Sequence, residues 1–112
     1  MAAKILTLGI NQEDLQHLAS DNDNILYKAH NLSELKSTLD RVDEIDTILI
    51  DSHYSNSIRL ELRAILGLTP LTTQIVLQYY KDDELDLEVL RQLGIELSQA
   101  PLSSSGWYKT PD

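Results

Sequence analysis

Five short apolar runs punctuate this chain, and between them leucine and isoleucine return every three or four residues. That alternation of two periods most limits what the chain can fold into. The runs are KILTLGI (4–10), ILYKAH (25–30), TILID (47–51), QIVLQYY (74–80) and ELSQA (96–100). The segments between them carry helical spacing: Leu15, Leu18 and Ala19 behind Asn11 as a cap, then Leu32, Leu35, Leu39 and Val42 with Ser33 as a cap. Ile58, Leu62, Ile65 and Leu66 follow, stopped by Gly67 and Pro70, and then Leu85, Val89 and Leu93, stopped by Gly94. A period near 3.6 puts such residues on one helix face, whereas a compact apolar run suits a buried strand. Strands alternating with helices predict right-handed βαβ crossovers and a parallel sheet covered on both faces.

TILID has an uninterrupted apolar centre, Ile48, Leu49 and Ile50, as a strand buried on both faces requires, so it is expected in the middle of the sheet. Five such strands predict a flavodoxin-like three-layer α/β sandwich with a parallel sheet of order 2-1-3-4-5. After Pro101 the tail LSSSGWYKTPD has serines, Gly106 and Pro111 but no apolar periodicity, so a regular fifth helix is not expected. One edge of the sandwich then lacks its cover unless Trp107 and Tyr108 fold back over it or a second chain supplies it. The expected organisation is one domain over residues 1–102 and a polar tail or linker over 103–112.

At 112 residues the chain is long enough to bury a core without a metal or a disulfide. Its 18 acidic against 9 basic residues give a formal charge of −9, a field that opposes direct contact with a nucleic-acid backbone. With no cysteine, disulfides, thiolate catalysis and thiolate metal sites are excluded. MAAKILTLGI has one lysine and too short an apolar run for a signal peptide, and no stretch reaches the roughly 18 apolar residues of a membrane span. A cytoplasmic protein without membrane contact is expected.

The third run ends in a lone carboxylate. In DTILIDSHYSN (46–56), Asp51 falls at the C-terminal end of a central strand, where open α/β sheets place their ligand chemistry. The layout resembles the receiver domain of two-component response regulators, over residues 4 to about 102 and chiefly in its order of elements. In that family acids after the first strand hold Mg²⁺, and an aspartate ending the third attacks phosphorus. A hydroxyl ending the fourth strand and a lysine before proline after the fifth bind the phosphoryl oxygens. Here Asp51 matches the acceptor, but Gly9 and Ile10, followed by Asn11, stand where the acids belong. The hydroxyl position falls on Gln78 or Tyr79, the lysine–proline pair reads Ala100 and Pro101, and the aromatic that moves on activation aligns with Leu97.

The resemblance therefore implies a degenerate receiver, or pseudo-receiver: a phosphorylation-independent interaction or regulatory module in bacterial signalling, and not an enzyme. It implies signalling proteins as partners, a homodimer among the arrangements open to it, no cofactor and no metal. Two alternatives stand beside it. One is a phospho-accepting receiver that uses Asp51; the other is a small ligand-binding flavodoxin-like protein with a pocket at the same sheet edge.

The remaining chemistry-bearing residues read more plainly. His17, His30 and His53 lie on three different segments without ligand spacing, and His53 reads as a solvated loop histidine. Gly9, Gly67, Gly94 and Gly106 are too scattered for a phosphate loop. Tyr79, Tyr80, Trp107 and Tyr108 gather near a sheet end or edge and are candidate partner-binding residues, with one of the adjacent tyrosines facing the core. KDDELDLE (81–88) reads as the acidic first turn of the fourth helical segment, a solvated face able to steer a basic partner.

Overall fold

Strand β3, Thr47–Asp51, has all five residues buried and lies at the centre of the sheet, as its apolar run predicts. The computed structural model describes residues 3–13, 15–16, 24–55, 57–81 and 83–99. Around β3 run β1 (Lys4–Leu8), β2 (Ile25–Ala29), β4 (Gln74–Tyr79) and β5 (Glu96–Gln99), in the order β2-β1-β3-β4-β5. All four pairings are parallel. Among the described residues three helices follow β2, β3 and β4: α1 (Leu32–Arg41), α2 (Ile58–Leu68) and α3 (Leu87–Gln92). Residues 12–13 and 15–16 are also helical, and Leu15 N–H donates to the Asn11 carbonyl at 3.0 Å. The chain thus has the flavodoxin-like α/β fold.

Alternation along the strands sends successive side chains to opposite faces and divides the core in two. Leu6, Leu8, Ile48, Ile50, Ile75 and Leu77 pack on one face with Leu35 of α1, Ile58, Leu62 and Ile65 of α2 and Leu90 of α3. Ile5, Leu49 and Val76 pack on the other with Ile10 and Leu15. Each fully buried leucine or isoleucine contributes about 1.5–3 kcal/mol relative to exposure, so these faces hold the fold.

Two helix starts differ from the sequence reading. Asn31, not Ser33, caps α1, its side chain accepting the Glu34 N–H at 2.9 Å. The acidic stretch after Tyr80 does not open a helix: α3 begins only at Leu87, capped by Asp86, which accepts the Val89 N–H at 3.2 Å. Residues 83–86 are loop, and Asp83 there turns back to the Tyr80 N–H instead of entering a helix. Gly94 ends α3 as expected, with φ +87° and the following Ile95 N–H returning to the Leu90 carbonyl at 3.1 Å. His17, the Ala100–Pro101 pair, Trp107, Tyr108 and the expected tail lie outside the described residues. Among the described residues no helix is long and apolar enough to cross a membrane.

Candidate functional site

The register of the central strands brings three buried polar side chains into one row at the C-terminal end of the sheet. Asp51 pairs with Gln78, and Gln78 with Ser98. They are 4%, 1% and 2% exposed. Gln78, and not Tyr79, therefore stands opposite Asp51.

The loop after β3 is shaped by Asp51 itself. Its Oδ1 accepts the His53 N–H at 2.7 Å, an aspartate-centred turn, while its carbonyl accepts the Tyr54 N–H at 3.0 Å. Its Oδ2 accepts the Tyr80 hydroxyl at 2.5 Å and, at 3.4 Å, the Gln78 amide. The same amide lies 3.3 Å from the Tyr80 oxygen, so the three groups form one small network.

A second carboxylate completes the arrangement. Asp83 Oδ2 accepts the Ser52 hydroxyl at 2.6 Å and the Tyr80 N–H at 2.8 Å, and its Oδ1 lies 2.6 Å from His53 Nε2. Its own N–H returns to the Tyr80 carbonyl at 3.0 Å, closing a turn. The His53 ring stacks on Tyr80 at 4.1 Å between centroids and 13° between planes. His53 and Tyr80 thus each touch both acids, one through its backbone and one through its side chain. Together they clasp the loop after β3 to the loop after β4.

Burial opposes the charge on Asp83, but the donors from Ser52, the Tyr80 backbone and His53 outweigh it and hold the carboxyl below its ordinary value of 3.8. A pKa depressed in the folded state stabilises the fold above the unfolded value and loses that contribution as pH falls through the folded one. Asp83→Ala is therefore expected to cost about 1–2 kcal/mol at neutral pH. The gap to wild type should close as pH falls below 3.8, which urea unfolding across that range would measure. A gap independent of pH would refute the ionic role of Asp83.

The receiver family's Mg²⁺ does not fit these residues. Gly9, which the resemblance aligns with the first acid, has φ +77°, and a Cβ there would meet Tyr54 Cβ at 2.8 Å. Tyr54 fills that space, its hydroxyl pKa raised by burial and then by the neighbouring Glu61 carboxylate. Both Asp51 oxygens already face N–H or O–H donors, whereas Mg²⁺ requires near-octahedral oxygen ligation. Among the described residues no group of three or more histidines or acids is placed to hold a metal ion.

Of the residues singled out from sequence, the structure joins Asp51 and Tyr80. It leaves Tyr79 half-buried at the end of β4. Trp107 and Tyr108 fall outside the described residues. Sequence reasoning missed Asp83, which it read as a helix acid, and undervalued His53, whose ring is 60% exposed yet bonded to Asp83. The available signal was the spacing in YKDD, an aspartate three residues after Tyr80 and able to reach back to its N–H. No protein-family model matches this chain, and no curated protein matches it.

Proposed function

We propose that this domain is a degenerate receiver, a non-catalytic protein-interaction module in bacterial signalling, working in the cytoplasm without phosphoryl transfer. One observation carries the reading: both oxygens of Asp51 are engaged by donors from its own fold, with the Tyr80 hydroxyl on Oδ2 and the His53 N–H on Oδ1. An acceptor carboxylate must present an oxygen in line with phosphorus, next to groups that neutralise the incoming charge. Asp51 is 4% exposed, and Tyr54 occupies the space beside Gly9. The two loops that a phosphoryl group rearranges in the family are here joined by hydrogen bonds. The surface over them is thus held in one arrangement and offered to signalling proteins as it stands.

The competing reading, phosphorylation of Asp51, draws on its place at the end of β3. Intact mass after incubation with acetyl phosphate and Mg²⁺ separates the two. No adduct is expected on the folded wild type. A stoichiometric phosphate adduct that Asp51→Asn abolishes would overturn the proposal. A thermal shift with a nucleotide or metabolite would favour a ligand-binding role instead.

A further inference from the structure

Away from the Asp51 cluster, residues of α2 and α3 line a groove of about 210 Å³. Its floor is the buried pair Leu62 and Leu90, and its apolar wall includes Val89 and Leu93, which are 47% and 45% exposed. Val89 and Leu93, one helical turn apart, leave an apolar strip open along the groove.

Two arginines stand on the rim. Arg59 and Arg63, one helical turn apart on α2, both line the groove and are both exposed, in a chain of net charge −9. Arg59 donates to the Glu84 carbonyl at 3.2 Å, a neutral acceptor, and makes no ion pair among the described residues. Among the described residues Arg63 makes no hydrogen bond or ion pair. Among the described residues Asp86 is the one acid on the lining, and it accepts the Val89 N–H as the cap of α3. The groove therefore sets two guanidinium forks, each without a carboxylate partner among the described residues, beside an apolar wall, and such forks match carboxylates.

We infer that this groove is the docking site for an amphipathic helix of a partner protein, with apolar anchors on one side and carboxylates along the flank that meets Arg59 and Arg63. The inference rests on the interaction-module reading and names its partner's chemistry. A channel between two helices accepts a third by interdigitation of side-chain ridges, and anchors spaced i, i+4 and i+7 would reach Val89, Leu93 and the floor. A second copy of this chain is the poorer occupant, because it would bring −9 against −9.

The probe is a fluorescein-labelled helical peptide of about 15 residues, four turns, with leucines at i, i+4 and i+7 and glutamates along one flank. A second peptide carries lysine in place of each glutamate. In fluorescence anisotropy the glutamate peptide should saturate the wild type and the lysine peptide should not. The Arg59→Glu/Arg63→Glu variant should weaken binding by about tenfold or more, and Arg59→Lys/Arg63→Lys should keep most of it. Both sites are exposed, so an unchanged thermal melt would show that the variants fold. Equal binding of the two peptides, an unaffected double-glutamate variant, or failure of the glutamate peptide to saturate would each overturn the inference. So would a dimer in sedimentation that the double-glutamate variant dissolves, since a second copy would then fill the groove. The mass measurement reads Asp51 alone: an adduct with peptide binding intact defeats phosphorylation independence and leaves the groove standing. No adduct and no peptide binding does the reverse.

Discussion

Asp51→Ala is expected to lower the free energy of unfolding by about 2–4 kcal/mol, a loss measured as a shift of the urea midpoint without change of slope. The substitution deletes the acceptor of the Tyr80 hydroxyl and the Gln78 amide, and removes the turn bond from the His53 N–H. Gln78 is 1% exposed, so water cannot take over its lost bond without local opening. The sign of the effect is diagnostic. In a working phospho-acceptor pocket the aspartate is crowded by metal-binding acids, and its removal relieves like-charge repulsion. A destabilised Asp51→Ala therefore marks a structural carboxylate, and a neutral or stabilised one would mark an acid held against its own interest. Combining it with Tyr80→Phe should expose a coupling on the order of 1–2 kcal/mol, because the two side chains share one bond.

Gly9→Ala should cost a similar amount, about 2–4 kcal/mol in the same urea measurement. Roughly 1 kcal/mol comes from holding a side chain at positive φ. Relief of the overlap with Tyr54 adds about 1–3 kcal/mol, since the new Cβ would lie 2.8 Å from Tyr54 Cβ and 3.2 Å from its ring. Tyr54→Gly in the Gly9→Ala background should remove the overlap and leave the backbone strain, so the combined loss is less than the sum of the single ones. The position bears on the proposed function because the receiver resemblance aligns Gly9 with a metal-binding acid. A neutral Gly9→Ala would mean the loop has room, and an acid placed there could then approach Asp51.

The sheet was largely legible from the sequence because its signals are local and repeated. Ile48, Leu49 and Ile50 are all buried in β3, as an unbroken apolar run requires, and Gly94 ends α3 at positive φ where the helical pattern stops. The caps were less legible. Asn31 and Ser33 both suit an N-cap, and only the Glu34 N–H accepted by Asn31 distinguishes them. The acids of KDDELDLE resemble a helix's first turn, a reading that holds for Glu88, with Asp86 as the cap before it, and fails for Asp83.

What the sequence determined by itself is the order of strands and helices, the central place of β3 and the position of Asp51 at its end. These follow from hydrophobic period and from short-range backbone preference, which act within a few residues. What only the tertiary structure decided is which polar groups meet. Tyr80 reaches Asp51 across 29 positions, His53 reaches Asp83 across 30, and Ser52 reaches Asp83 across 31. Those bonds depend on the β3–β4 register, which sets Gln78 beside Asp51, and on two loops closing over the same strand ends. Local propensity cannot encode such meetings, since a one-residue slip in register would send every side chain of β4 to the opposite face.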